Sequence, residues 1–216
     1  MQVTVTYAQS IDGRIATLSG ESKWISGDRT LRLAHRLRGG HDGILVGVGT
    51  AVKDDPELTC RLLHRPSPAR IVLDSKLSIP TGSLLVKTAS RHATILLTTA
   101  RASRRRIDLL RGSGVEIVLC ESNTEGRVDL AAALRELGRR GIQKLLVEGG
   151  SGVITSFLLS GFVTRLVVVI APLIIGEGTP AVKSLGVERL NEAKRLKTVK
   201  LRRMGEDLVW ELKPDG

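Results

Sequence analysis

Residues 42–59 read DGILVGVGTAVKDDPELT, with Arg61 two positions further on. The run 43–48 is apolar without alternation, the pattern of a strand covered on both faces. It passes into a small-residue corner, Gly47-Val48-Gly49-Thr50, and then into two adjacent carboxylates, Asp54 and Asp55, directly before Pro56. Like charges side by side repel, and a proline disfavours the helical region for its predecessor, so Asp55 is expected to be extended. A plain turn needs none of this chemistry. In open α/β sheets ligands bind beyond the carboxyl ends of the strands, which is where this loop falls.

Similar runs lie on either side. Residues 3–8, 70–74, 84–87, 94–98, 115–119, 144–148 and 165–171 read as strands, most of them solidly apolar. Helical patterns lie between them at 28–39, with Ser26 or Asp28 as cap, and at 103–111, 129–139 and 152–159. Strands alternating with helices of this length imply an α/β sheet with parallel neighbours. The last stretch differs: 194–203 and 208–213 flank Gly205-Glu206-Asp207 and read as an antiparallel hairpin. The expected fold is therefore α/β, a mixed, mostly parallel sheet with helices on both faces and a C-terminal hairpin. With no repeat, linker or boundary, residues 1–216 are expected to be one domain.

The 216 residues allow a large core, built from Leu, Val, Ile and Ala because aromatic residues make up only 2%. A net charge of +11 points to nucleic acid, an anionic surface or a phosphate-rich small ligand. Single-strand binders interleave cations with stacking aromatics, which this chain lacks. Its cations are spread out apart from Arg104-Arg105-Arg106, expected to be a solvated helix face. Cys60 and Cys120 have no CxxC spacing and read as reduced thiols of an intracellular chain. The start, MQVTVTYA, has no signal-peptide pattern, and the apolar stretch 166–176 contains Pro172. It falls short of the roughly 20 residues a membrane helix needs. A cytoplasmic protein with no membrane partner is expected.

A second chemical feature is Lys144-Leu-Leu-Val-Glu-Gly-Gly-Ser-Gly152, followed by helical ITSFLLSG. Gly149 and Gly150 let the backbone bend towards a ligand, and first-turn N–H groups favour an anion. Neither GxGxxG nor the P-loop pattern is present, and strand–GG–helix alone fits a bare tight turn equally well. With the corner at Gly47 it supplies candidate sides of one crevice for a dinucleotide pyrophosphate. Two unrelated turns remain the plainer reading. After the strand at 70–74, Ser75 and Lys76 place a hydroxyl beside a cation. That suits an exposed phosphate such as the 2′-phosphate of NADPH, or a solvated strand end.

Several segments occur together in one order: Ser10-Ile-Asp-Gly-Arg-Ile-Ala16, Glu21-Ser-Lys-Trp-Ile-Ser26, His35-Arg-Leu-Arg38, the 42–59 segment, Arg70-Ile-Val-Leu-Asp-Ser75, Val147-Glu-Gly-Gly150 and Ile170-Ala-Pro-Leu-Ile-Ile-Gly176. This set resembles the reductase family of riboflavin biosynthesis, whose fold is like dihydrofolate reductase. The chain starts at the reductase's first strand and lacks the H-x-E…P-C-x-x-C deaminase signature. It therefore resembles the stand-alone enzymes of archaea and fungi, which reduce 2,5-diamino-6-ribosylamino-4(3H)-pyrimidinone 5′-phosphate before deamination. The resemblance implies this phosphorylated ribosylamine as substrate, NADPH (with NADH as the alternative) as cofactor, and a homodimer.

It also implies roles for residues. Thr50 and Asp54 lie on the nicotinamide side of the loop, and Leu58 and Arg61 on the substrate, Arg61 helping to hold its phosphate. Ser22, Arg38 and Glu148 carry over as substrate contacts and Trp24 as a cofactor contact. Gly150, Ser151, Gly152, Val153, Ile154, Thr155 and Ser156, next to Gly149, form the pyrophosphate-binding helix start. Ser75 matches a cofactor position, and Lys76 joins it on the strength of its charge. Asp55 is expected to lock the turn. Thr164-Arg165 departs from a common Asp-Glu pair in a region expected to lie away from the site.

In such a reaction the ribosylamine opens to an imine at the sugar's first carbon, which accepts hydride. The protein aligns the partners and excludes water. Asp54 is the candidate for assisting proton movement, followed by Glu148. His35, His41, His64 and His92 fit neither a nucleophile elbow nor a metal spacing, so no metal is expected. Two other functions stay in play: a same-fold reductase acting on the deaminated pyrimidine or on dihydrofolate, and a basic nucleic-acid-binding protein. Ser22, Arg38 and Arg61 favour a phosphorylated substrate over dihydrofolate.

Overall fold

The unalternating apolar runs are strands buried along their length, as in Gly43–Gly47 and Thr94–Thr98, where every residue is covered. The structure is a computed structural model describing residues 1–23, 25–63 and 65–215. In chain order its elements are β1 (Gln2–Ser10), β2 (Arg14–Thr17), α1 (Asp28–Arg38), β3 (Gly43–Gly47), α2 (Val48–Asp54), β4 (Ala69–Leu73), α3 (Leu84–Lys87), β5 (Thr94–Thr98), α4 (Arg104–Arg111), β6 (Glu116–Leu119), α5 (Leu130–Arg139), β7 (Lys144–Val147), α6 (Ser151–Ser160), β8 (Arg165–Ala171), β9 (Gly178–Pro180), β10 (Leu196–Met204) and β11 (Asp207–Pro214). They fall into two compact units: Met1 with His35–Leu146, and Gln2–Ala34 with Val147–Gly216.

In the first unit β3, β4, β5 and β6 pair in parallel in that order, with β7 beside β3. Helices α4 and α5 start where their caps dictate: Ser103 accepts from Arg106 N, and Asp129 from Ala132 N. The run 84–87, expected as a strand, is instead the single helical turn α3. Its apolar buried residues are the neighbours Leu85 and Val86, not alternate ones. The turn is fixed at both ends, by Asp55 Oδ1 accepting from Leu84 N at 2.8 Å and by Thr88 Oγ1 donating to Leu84 O at 2.6 Å. The arginine run at 104–106 is solvated only in part. Arg106 turns inward and donates from Nε to Leu77 O at 2.9 Å and from Nη2 to Ile79 O, closing the turn after β4.

In the second unit the order is β10-β11-β8-β1. β1 and β8 run parallel from Thr4↔Arg165 to Ser10↔Ala171, and β8, β11 and β10 are antiparallel. The hairpin turns at Gly205, whose φ of 71° suits glycine. The start of α1 is also fastened from far along the chain. The carboxylate of Asp207, buried at the start of β11, takes Gly27 N at 2.8 Å and Thr30 Oγ1 at 2.7 Å. A short ladder of β2 with β9 had no counterpart in the sequence reading. Arg165, the departure noted above, pairs with Glu211 at 2.7 Å, and Arg202 takes the same carboxylate at 3.0 Å. Both cysteines are free. No helix among the described residues is long and apolar enough to cross a membrane.

Candidate functional site

In the first unit the 42–59 segment becomes strand, helix and loop without a break: β3 ends at Gly47, and Val48 begins α2. Thr50 and Asp54 stand four residues apart on α2, hence on one face, and both are half-buried. A Cβ at Gly49 would meet nothing within 4 Å, so this flank of α2 is open. The expectation that Asp55 is extended fails. It ends α2 in the left-handed region, at φ 38° and ψ 58°. Aspartate tolerates that region better than most residues, and the bond to Leu84 N holds it there, so the carboxylate fastens the loop to α3.

Leu58 also has positive φ, 53°, and is only 3% exposed. Next to it Thr59 O accepts from Arg38 Nη1 at 3.2 Å, which brings the end of α1 onto the loop. Cys60 N donates to Ser67 Oγ at 3.0 Å, and Cys60 Sγ donates to His35 O at 3.1 Å. Arg61 Nη1 lies 3.0 Å from Glu57 Oε2, both side chains about half exposed. The structure therefore gathers Arg38, Leu58, Thr59 and Arg61 around one loop, and carries Thr50 and Asp54 on the helix that leads into it.

Beneath the loop lies a residue whose role the sequence reading missed. Arg70, in β4, is 1% exposed. Its Nη1 donates to Thr88 Oγ1 at 2.7 Å and Glu57 O at 3.4 Å; its Nη2 donates to Leu85 O, His92 O and Thr94 Oγ1. Burial pushes this guanidinium down to about 10, with the Glu57 carboxylate pulling it back up. An arginine opening an apolar strand, as in Arg70-Ile-Val-Leu, was the available signal. At the other end of β4, Ser75 Oγ accepts from Val128 N at 3.0 Å, while Lys76 is exposed.

In the second unit Glu148 is half-buried just after β7, and the peptide between Gly149 and Gly150 is cis. Gly149 has a φ of 110°, which only glycine adopts readily. Gly150 caps α6 without a side-chain hydrogen bond, and no acid occupies the first turn. Val153 N and Ile154 N are taken by Gly150 O, at 2.9 and 3.0 Å. Ser151 Oγ is buried with no partner among the described residues, and a Cβ at Gly152 would meet nothing within 4 Å. At the backbone the corner fits a phosphate group: a helix start with no side-chain cap and no acid in its first turn, and room above Gly152, while Ser151 Oγ itself is enclosed by protein. Ile154 and Thr155 are given to packing. Ile154 is 0% exposed, and Thr155 Oγ1 donates to Ser151 O and accepts from Lys183 N, both at 2.8 Å. Ser156 Oγ is occupied by Gly152 O at 2.9 Å. Ser22 is half-buried in the stretch before α1. Trp24 lies outside the described residues.

A model of the RibD C-terminal domain family matches residues 1–210. The chain belongs to that family. Its α/β fold is of the dihydrofolate-reductase type. It is 37% identical over 208 residues to the riboflavin biosynthesis protein RibD of Aquifex aeolicus, aligning 96% of this chain with 56% of that one. To the 2,5-diamino-6-ribosylamino-4(3H)-pyrimidinone 5′-phosphate reductase of Methanothermobacter thermautotrophicus it is 34% identical over 222 residues, 99% of this chain against 98% of that one. The crystal structure of a diaminohydroxyphosphoribosylaminopyrimidine deaminase/5-amino-6-(5-phosphoribosylamino)uracil reductase from Thermotoga maritima superposes with a TM-score of 0.80 at 28% identity, covering 99% of this chain and 56% of that one. This RibD-family chain thus spans about half the length of the RibD proteins it matches.

Proposed function

We propose that this chain, acting as one reductase domain over residues 1–216, is an NADPH-dependent reductase of 2,5-diamino-6-ribosylamino-4(3H)-pyrimidinone 5′-phosphate, producing the ribitylamine. The observation that carries the substrate assignment is the alignment along 98% of the Methanothermobacter reductase. The corner at Gly149–Gly152 supports the cofactor assignment. When bound, a nicotinamide cofactor supplies a hydride. The working form proposed is a cytoplasmic homodimer.

The chain's own residues then have distinct tasks. The α6 start from Gly150 to Gly152 receives a pyrophosphate, and Ser75 and Lys76 a further phosphate of the cofactor. Arg61 and Arg38 neutralise the substrate's phosphate, with Ser22, Leu58 and Glu148 contacting the rest of it. Cleavage of the sugar's C1′–O4′ bond moves one proton from nitrogen to O4′ and leaves an imine. Hydride addition at C1′ then requires one proton at that nitrogen. Asp54, on the face of α2 that also carries Thr50, is assigned to proton movement. A protonated imine accepts hydride readily, so alignment and exclusion of water do most of the work.

A second reading is favoured by the Thermotoga relative, whose name specifies a uracil substrate. One assay separates the two: loss of nicotinamide absorbance with NADPH and either the diaminopyrimidine ribosyl phosphate or its deaminated counterpart. Turnover of the first and little of the second is expected. Turnover of the second alone transfers the activity to the other substrate, and turnover of neither removes the reductase reading.

A further inference from the structure

We propose that Arg70 is a positioning residue for the substrate side of the 54–61 loop, acting through the Glu57 carbonyl; this rests on the reading of Leu58 and Arg61 as substrate contacts. The loop it reaches holds two non-glycine residues at positive φ, Asp55 at 38° and Leu58 at 53°. A bulky side chain persists in that region only where its surroundings over-determine it. Two of those surroundings are plain: Asp55 Oδ1 on Leu84 N, and the leucine side chain sunk to 3% exposure. Between the two strained residues lies Glu57. Its side chain points to solvent and pairs with Arg61 at 3.0 Å, so the inner restraint there is its carbonyl on Arg70 Nη1 at 3.4 Å.

An arginine in the middle of an apolar sheet is costly, and an aliphatic residue of similar length would pack without that cost. What the guanidinium adds is a fixed fork of donors. Its hydrogen-bond partners are all neutral and come from three places: the loop at Glu57, the α3 turn at Leu85 and Thr88, and the entry to β5 at His92 and Thr94. The single turn of α3 is therefore held on two sides, by Asp55 at its first amide and by Arg70 at a carbonyl. It serves as the abutment against which Leu58 and Arg61 are set. Burial leaves the group cationic at neutral pH, since it sits at about 10.

The test compares Arg70→Lys and Arg70→Met with Thr88→Val and Thr94→Val. The threonine variants remove acceptors of the same guanidinium while leaving its link to the loop. Steady-state KM for the diaminopyrimidine ribosyl phosphate, kcat and the NADPH dissociation constant are measured for each, with Arg61→Ala alongside. Both Arg70 variants are expected to raise substrate KM by about tenfold while cofactor affinity holds within about twofold, and the threonine variants to lower the thermal midpoint without that KM change. Equal losses of substrate and cofactor affinity, or the same KM in Arg70→Lys as in Thr94→Val, overturn the proposal. An unchanged KM in Arg61→Ala removes the reading of the loop as substrate-binding instead. Should the Arg70 variants fail to fold, amide hydrogen exchange on the unaltered protein decides. Amides 57–61 are expected to open together with 85–94, and free exchange of 57–61 alone sinks the idea.

Discussion

In the 54–61 loop the residues in unusual backbone conformations carry side chains, and those side chains do the holding: Asp55 on Leu84 N, Leu58 in the core. In the corner at 149–152 the unusual φ belongs to Gly149, and Gly150 starts α6 with no side-chain cap. The first arrangement pairs its polar groups within the protein, Arg61 with Glu57 and Arg38 with Thr59 O. The second has no side-chain cap at its helix start and open space above Gly152. A loop built from side chains should respond to changes of charge and hydrogen bonding. A corner built from backbone should respond mainly to added volume.

The largest expected effect falls on the side-chain region. Asp54→Asn keeps the size of the residue and removes its ability to take or give a proton. Turnover should fall about 100-fold, the lower end of what a positioned acid or base contributes, while both ligands bind nearly as before. Full turnover with unchanged affinities would mean that alignment alone suffices and that Asp54 moves no proton.

The corner is probed by volume. At Gly152 a new side chain meets no protein atom within 4 Å, so Gly152→Leu should fold normally. It should nonetheless weaken NADPH binding by about tenfold or more, equal to roughly 1.4 kcal/mol, because the space it fills is the space assigned to the pyrophosphate. Fluorescence titration of NADPH reads this directly. If binding is unaffected, the corner is the bare tight turn that its sequence also allowed.

These two regions were not equally legible in the sequence. The apolar runs gave most strands because burial on both faces removes all polar alternation, and the helical patterns read at 103–111 and 129–139 begin at residues that the structure shows to be the caps of α4 and α5. The glycine corner was readable for the same reason: what matters there is the absence of side chains. The loop was misread wherever a distant partner decides local geometry. Asp55 is left-handed because Leu84 N is there to receive it, and 84–87 is helical partly because Asp55 caps it, so neither was visible without the other. The carboxylate that fastens the start of α1 is Asp207, 180 residues beyond Gly27. No local pattern encodes that contact. Ser22, Arg38, Arg61 and Glu148 were proposed only through the family pattern, since their types and spacing alone name no chemistry.

A smaller effect tests whether the loop's own fasteners matter to the fold or only to the site. Asp55→Ala removes the acceptor for Leu84 N and puts a residue less tolerant of positive φ at 38°. The expected cost is about 1 kcal/mol, close to that of losing a helix cap. In a chain of this size that is roughly 2–4 °C in thermal midpoint. A drop well beyond that range would make the loop part of the folding core and blur the contrast with the corner.

The smallest effect concerns a turn that combines both devices. Asp12 accepts from Ser10 Oγ at 2.5 Å, Ile175 N at 3.1 Å and Gly176 N at 2.7 Å, and Gly176 itself has φ 76°. The Ser10 hydroxyl, followed by the two amides, holds this carboxyl down to about 2, against an ordinary value near 3.9. A folded-state value below the unfolded one means the contribution is fully present above about pH 4 and disappears as pH falls through 2. Asp12→Asn should therefore be slightly less stable than the parent at neutral pH, with the gap closing between pH 4 and 2 in thermal melts. The carboxylate is exposed, so the gap should also shrink with added salt. A gap that stays constant down to pH 2 would assign the turn to Gly176 and the backbone, placing it with the corner.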